Sequence, residues 1–443
     1  MTAEKPPYRI PLMDEVRATP WNGRHVVSIF AGCGGSSTGY RMDGYRVLAA
    51  CEFVPAAQDS YAANMAPTTL LYRQDMRTLT GEQIMRDTGL AKGDLDVLDG
   101  SPPCEPFSTS GKLNERWGRV VDYSGETQRT DDLFLEYARL VDQLRPRVFV
   151  AENVTGLVRG VSKGYFKLIL RTLRGLGYRV EARVLDASYL GVPQARQRVI
   201  FVGVRGDLDQ APAHPDPLPY RYTIRDACPW ISRVRYDATV GRGARGGTSE
   251  FGSSARDYDV DQEPVGTLTA NQSNLTYWRA TDDHAIVGGW ALGDRFSVDE
   301  PAPTFQAAGL AGSGREQLLV TWPEPTDDDL RGTNLGPAIR KAWGETRVGQ
   351  SHHRHFNLVR ADPDAPSPTI TAIGGAAAGV SHPFEPRRFT IAEVKRLSGF
   401  PDDYTLTGSF QQQWERLGDC VPPPMMRHVA HTVRTRILEQ VET

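Results

Sequence analysis

The 443-residue chain has few cysteines, no long apolar run and no excess of charge of one sign. Each shortage excludes something. The five cysteines, Cys33, Cys51, Cys104, Cys228 and Cys420, are scattered, odd in number and without CxxC spacing. That pattern argues against a disulfide framework and against a zinc or other metal site. Nothing approaches the run of about 18 apolar residues that a membrane span needs, and the N-terminal MTAEKPPYRIPLMDEV lacks the apolar core of a signal peptide. A cytoplasmic protein with no membrane partner is therefore expected. With 51 basic and 54 acidic side chains the formal charge is -3, so bulk charge announces no polyanionic partner. Local charge differs: Arg233, Arg235, Arg242 and Arg245 fall in one Gly-rich stretch, and Arg340, Lys341, Arg347, Arg354 and Arg360 surround His352, His353 and His355. Such clusters are either solvated loops or polyanion contacts.

From His25 to about Arg205 strand-like and helix-like segments alternate, which predicts an α/β domain with a doubly wound, mostly parallel sheet. In DDLFLEYARLVDQL, Phe134, Tyr137, Leu140, Val141 and Leu144 fall at helical spacing and are assigned to packing on that sheet. After the proline-rich APAHPDPLP the chain becomes rich in Gly, Ser, Thr and Asp, with short strands and no convincing long helix expected. Here a motif Pro-x-x-Thr-apolar-x-Ala occurs three times, presenting Thr267, Thr304 and Thr369. The copies are either recognition turns or turns of a kind that β-rich domains reuse. Helical character returns at Thr390-Ile-Ala-Glu393, which fits a capping box, and in MMRHVAHTVRTRILEQV. The expected organisation is a first domain over residues 1–218, a separate mainly β or irregular lobe over 219–385, and a segment over 386–443 returning to the first domain.

Chemistry concentrates at predicted strand ends. Asp94 to Ser108, DLDVLDGSPPCEPFS, is an apolar strand followed by a Pro-Pro turn that forbids helix and carries Cys104 to the sheet edge, where open α/β folds bind ligands. Cys104 reads as a nucleophile or, more plainly, as a small core residue. A second apolar strand, VFVAENV, ends in Glu152, a carboxylate that needs a partner if it is buried. The first strand runs into Phe30-Ala-Gly32-Cys-Gly34-Gly35, where backbone N–H groups at a helix start are open to a ligand. The next two strands end in Glu52, placed to accept from a ribose diol, and Asp75, placed to accept from an amino group. A nucleoside cofactor suits these three ends.

With these motifs in view, the chain resembles the DNA (cytosine-5)-methyltransferase family over about residues 25 to 205 and 386 to 430. FAGCGGSSTGY resembles the cofactor motif, SPPCEPFS the nucleophile motif and AENV the base-contacting motif. GVPQARQR resembles the Gln-x-Arg-x-Arg motif, RFTIAEVKRLSGFPDDY the motif organising the recognition lobe, and LGDCVPPPMM the last cofactor motif. The resemblance implies S-adenosylmethionine as cofactor, S-adenosylhomocysteine as product and a flipped cytosine in a short sequence of double-stranded DNA as target. It implies catalytic roles for Cys104, Glu152, Arg196 and Arg198, with a salt bridge as the plainer role for one of the two arginines. Cofactor contacts are implied for Phe30, Gly32, Gly34, Gly35, Glu52, Phe53, Asp75, Leu133 and Asp419. DNA contacts are expected from Lys112, Arg116 and Arg119, in a Gly-hinged stretch from Ser108 to Thr130 that reads as a lid or as disorder, and from Gln194, Thr267 and Thr369. The 219–385 lobe becomes a target-recognition domain.

Two positions depart from the family pattern: Glu105 stands where Gln usually follows the cysteine, and Gly418-Asp419-Cys420-Val421 replaces the common Gly-Asn-Ser/Ala-Val. A carboxylate beside a thiol raises the thiol pKa if it is ionised and close. Competing readings are an RNA methylase of the same fold and an inactive DNA-binding relative; the long lobe disfavours the first, and retention of Cys104, Glu152, Arg196 and Arg198 disfavours the second. Double-stranded DNA is the expected partner, a cognate restriction endonuclease or other defence components stay open, and a monomer is expected because one fold carries catalysis and recognition.

Overall fold

The computed structural model describes residues 5–103, 133–158, 163–231, 325–355, 357–375 and 379–441, together with the backbone of short strands between them. After a short helix α1 (Met13–Ala18) the chain alternates β1 (His25–Ile29), α2 (Gly35–Met42), β2 (Arg46–Glu52), α3 (Pro55–Met65), β3 (Leu70–Arg73), α4 (Gly81–Thr88) and β4 (Val97–Gly100). A small antiparallel ribbon, β5 (Val121–Tyr123) and β6 (Glu126–Gln128), precedes α5 (Leu133–Leu144), β7 (Val148–Val154), α6 (Lys163–Gly175), β8 (Tyr178–Asp186), β9 (Gln194–Ala195) and β10 (Gln197–Arg205).

Seven of these strands form one sheet in the order β3-β2-β1-β4-β7-β10-β8. Strands β3, β2, β1, β4 and β7 are parallel, and β10 runs antiparallel to both its neighbours. This is the α/β, mostly parallel architecture expected. Chain order reverses between β1 and β4, so a crevice opens beyond their C-terminal ends. The central strands are apolar on both faces because both faces are covered. On one face Val27, Leu98 and Phe149 meet Phe134, Tyr137, Leu140 and Val141 of α5, the residues that helical spacing had assigned there. On the other, Val26, Val97 and Val150 meet Tyr40 of α2 and Met425, Met426 and Val429.

Beyond β10 come α7 (Ile224–Ala227) and a four-stranded sheet of β11 (Tyr277–Thr281), β12 (His284–Gly288), β13 (Phe296–Ser297) and β14 (Leu318–Thr321), ordered β11-β12-β14-β13. Then follow α8 (Asp327–Leu330), α9 (Pro337–Glu345), β15 (Val359–Arg360), β16 (Ser367–Pro368), β17 (Val380–Ser381), α10 (Ile391–Leu397), α11 (Phe410–Asp419) and α12 (Pro423–Val433). Helix α9, nine residues with Pro337 at its start and Ala342 and Trp343 buried, is a short helix in a part of the chain where no convincing long one was expected. The capping box at Thr390 is present, with each of Thr390 and Glu393 accepting from the other's backbone N–H.

The expected boundaries at 219 and 385 do not coincide with a break in packing among the described residues. Ile224, Cys228, Ala361, Ile370 and Val380 share one apolar core with Ala31, Cys33 and Tyr61 from the first segment and Phe389, Phe400 and Trp414 from the last. Strand β16 also pairs with β9. The two ends of the 219–385 segment are thus built onto the first domain, because apolar side chains at the sheet edge need a cover that the chain supplies from there. Among the described residues no helix is long and apolar enough to cross a membrane.

Helix α2 is buried along its whole length and packs against α12 so closely that a Cβ on Gly39 would lie 2.5 Å from the Pro423 carbonyl. A similar limit holds at Gly203 in β10, where a Cβ would stand 2.0 Å from the Phe149 ring. Gly203→Ala is therefore expected to lose about 1–3 kcal/mol in denaturant unfolding through overpacking. Gly164→Ala at the open start of α6, where a Cβ meets nothing within 4 Å, is expected to stay within about 0.5 kcal/mol of the native protein.

Candidate active site

The site is assembled at the C-terminal ends of β1, β2, β4 and β7. Strand β4 passes into Ser101-Pro102-Pro103, and the Asn153 side chain of β7 donates to the Pro102 carbonyl at 3.0 Å, holding the turn against the neighbouring strand. Cys104 and Glu105 follow at once and lie outside the described residues, as do Lys112, Arg116, Arg119 and Thr267. The lid expected over Ser108 to Thr130 is described only as the backbone of β5 and β6.

Glu152 on β7 is buried, 6 % exposed. Its partner is Arg198 on β10, whose Nε lies 2.7 Å from Glu152 Oε1. The N–H is not aligned on that oxygen, so Oε1 has a charge partner and no hydrogen-bond donor among the described residues. An ion pair of this kind leaves acceptor capacity for an incoming N–H. Arg196 does not join it. Its fully buried Nη1 donates to the carbonyls of Ile370 at 3.1 Å and Gly418 at 2.8 Å, while Nε and Nη2 find no hydrogen-bond partner among the described residues. Burial, reinforced by Arg198, pulls its pKa down to about 10. The expected catalytic pair of arginines is thus split: Arg198 faces Glu152, and Arg196 ties the end of α11 to the segment after β16.

A cavity open to solvent lies over the ends of β1, β2 and β3. Phe30, Gly32, Gly35, Glu52, Phe53, Asp75 and Asp419 line it, and Ser101 and Pro103 bring the nucleophile turn to its wall. Gly32, at φ 55°, has nothing within 4 Å of the position a Cβ would take, so the backbone lies open to the cavity. Glu52 holds the loop in shape: Oε2 accepts from Gly32 N–H at 2.7 Å, and Oε1 from Phe53 and Val54 N–H at 2.9 and 2.8 Å. Burial raises its pKa, and those three N–H donors and Arg416 pull it back. Asp75 accepts from Arg77 N–H at 2.9 Å and Nη1 at 3.0 Å and keeps lone pairs toward the cavity.

Several expected contacts fall elsewhere. Leu133, 1 % exposed, belongs to the core beneath the sheet, because α5 turns it inward with Phe134. Gly34 is the residue before α2 at φ 99°, and a Cβ there would meet Tyr404 Oη at 2.6 Å, so it serves the turn and does not line the cavity. Gln194, expected to touch DNA, is 1 % exposed: its amide donates to the Leu397 carbonyl and Ser398 Oγ, and accepts from Ile370 N–H. Thr369 Oγ1 donates to the Ala195 carbonyl at 2.8 Å. Both are fastenings between β9 and the β16 segment. Sequence reasoning missed Ser36 and Arg416, which line the cavity. Their signals are positional: Ser36 opens the helix after the glycine turn, and Arg416 lies one helical turn before Asp419.

Comparison with known proteins agrees with this geometry. The family profile for C-5 cytosine-specific DNA methylase matches residues 25–435. The type II methyltransferase M.DdeI of Desulfomicrobium norvegicum is 26 % identical over 423 residues, covering 92 % of this chain and 88 % of its own. M.XorII of Xanthomonas oryzae pv. oryzae is also 26 % identical, over 94 % of this chain and 86 % of its own. A solved structure described as a DNA modification methyltransferase encoded within a prophage (E. coli) superposes with a TM-score of 0.57 at 21 % identity, covering 94 % of this chain and 100 % of that one. That likeness shows the fold.

Truncating the buried amide in Gln194→Ala leaves the Ile370 N–H without its acceptor. A loss of about 1–3 kcal/mol in urea unfolding is expected, with the affinity of the folded protein for duplex DNA unchanged; weakened DNA binding at full stability would return Gln194 to the DNA interface.

Proposed function

Because the chain belongs to the C-5 cytosine-specific DNA methylase family, and so methylates cytosine in DNA, we propose that it acts on a cytosine swung out of double-stranded DNA, through a transient bond between Cys104 and C6 of the ring. One observation carries the proposal: a buried carboxylate, Glu152, whose Oε1 has a charge partner and no hydrogen-bond donor among the described residues, stands on β7 beside the β4 turn that leads into Cys104, and that turn borders the cavity. A base buried in a helix cannot reach such a strand end, hence the extrusion. The type II names of the relatives support a short recognition sequence and a place in a restriction–modification system.

S-adenosylmethionine fits the cavity, since the open backbone at Gly32 and the carboxylates of Glu52 and Asp75 match a nucleoside with hydroxyl and amino donors. When bound it supplies a methyl group carried on a sulfonium. In this reading Glu52 accepts from the ribose hydroxyls and Asp75 from the adenine amino group. The Cys104 thiolate adds to C6 and raises electron density at C5, the atom to be methylated. Glu152, held by Arg198, accepts a hydrogen bond from the exocyclic amine and pairs with the acceptor N3 through a shared proton as electron density builds on the ring. Once C5 has bonded to the methyl group, loss of its proton to a base expels Cys104 as thiolate and restores aromaticity.

Tritium from labelled S-adenosylmethionine is expected on duplex DNA and not on tRNA, and DNA bearing 5-fluorocytosine, whose C5 has no proton to lose, is expected to stay attached to the protein through denaturing electrophoresis. Cys104→Ser should abolish both. Glu152→Gln should slow transfer about 10²- to 10³-fold. Methylation surviving in the Cys104 variant assigns the nucleophile elsewhere; label on tRNA alone favours the RNA-methylating reading.

A further inference from the structure

Asp99 lies in the middle of the sheet, 2 % exposed, on the strand that ends in the nucleophile turn. Its carboxylate reaches across to two neighbours at once. Oδ2 accepts from Ser28 Oγ on β1 at 2.9 Å and from Ser36 Oγ in the first turn of α2 at 2.6 Å. Ser28 is its register partner across the β1–β4 pair, and Ser36 lines the cavity. One carboxylate therefore spans the strand that presents Cys104, the strand that feeds the glycine turn, and the helix start beyond that turn. The assigned functions of Cys104, Glu152 and Glu52 make no use of it.

We propose that Asp99 is a positioning residue, which fixes the cofactor loop relative to the nucleophile turn by holding Ser36, so that cofactor affinity depends on the charge of this carboxylate. The inference rests on the cofactor reading given above. An ionised carboxylate accepts from both serine hydroxyls together. A proton on Oδ1 leaves Oδ2 as the acceptor of both but removes the charge that strengthens the two bonds, which loosens the hold on Ser36. The titratable groups facing Asp99 are Tyr40 of α2, Tyr61 of α3, Tyr137 of α5 and Glu152 of β7. Burial is the main cause that pushes its pKa up to about 7, while Ser36 and Ser28 oppose the rise. The ordinary value is 3.8, so the folded protein holds this proton more tightly than the unfolded chain. Stability from this group therefore falls as pH rises from about 4 to about 7 and is level above that. An acid at such a position, where an amide or serine would avoid the loss, fits a requirement for charge.

The test is calorimetric titration of the intact protein with S-adenosylhomocysteine at pH 6 and pH 8.5, with Asp99→Asn and Ser36→Ala beside it. This probe lacks the sulfonium, so simple attraction between opposite charges at that atom is removed. The native protein is expected to bind about fivefold more tightly at pH 8.5 than at pH 6, the ratio for a fall of the Asp99 pKa from about 7 to about 6 on binding. Both variants are expected to bind more weakly than native at pH 8.5 and to lose the difference between the two pH values, with duplex DNA affinity unchanged. The same pH dependence in native protein and Asp99→Asn, or a Ser36→Ala protein that behaves as native, overturns the inference. Should Asp99→Asn fail to fold, as judged by circular dichroism, the native and Ser36→Ala pair decides. Absence of any binding by the native protein sinks the cofactor reading itself, an outcome distinct from binding that ignores pH.

Discussion

Three carboxylates taken out of water on three strands of the central sheet govern the geometry of this site. Glu52, Asp99 and Glu152 sit on β2, β4 and β7, each less than a tenth exposed. A buried charge is tolerated only with partners, and the partners differ. Glu52 draws in backbone N–H groups and so shapes the loop at Gly32. Asp99 gathers serine hydroxyls, and Glu152 takes Arg198. Each arrangement gives a desolvated acid its partners and in doing so fixes a piece of backbone where the proposed cofactor or base would arrive.

The C-terminal half of the chain closes what the sheet edge leaves open. Tyr404 Oη donates to the Cys33 carbonyl, Arg196 spans Ile370 and Gly418, and Gln194 spans Ile370 and Leu397. Arg416, Asp419 and Cys420 then form one wall of the cavity. The Asp419 departure from the family's common asparagine stands within a helical turn of Arg416, so the added negative charge has a cation near it. A cavity walled by segments so distant in sequence is rigid only when the whole chain has folded, which suits a site that must hold its reacting groups within a fraction of an ångström.

Function follows from that rigidity. Methyl transfer to a ring carbon needs the nucleophile, the group that binds the base edge and the methyl donor in one crevice. The switch between β1 and β4 brings the glycine turn and the Pro-Pro turn side by side, and β7 adds Glu152 next to them. The order of strands thus does what no single motif does.

Much of this was legible in the residues themselves. The alternation of apolar strands and amphipathic helices implied the sheet, the α5 residues from Phe134 to Leu144 packed where their spacing put them, and the capping box at Thr390 formed as its four residues dictate. These are local matters of periodicity, turn chemistry and capping, decided within a few residues. The placing of Gln194, Thr369, Arg196 and Leu133 was not legible, because a polar or apolar side chain carries no mark of what will be brought opposite it. Nor did the composition of residues 219–385 disclose that their ends complete the first domain's core. By itself the order of residues determined which elements form and which chemical groups stand at strand ends. Only the tertiary structure decided which of those groups share a crevice and which are consumed as fastenings, since a buried hydrogen-bonding group must take whatever partner packing sets before it.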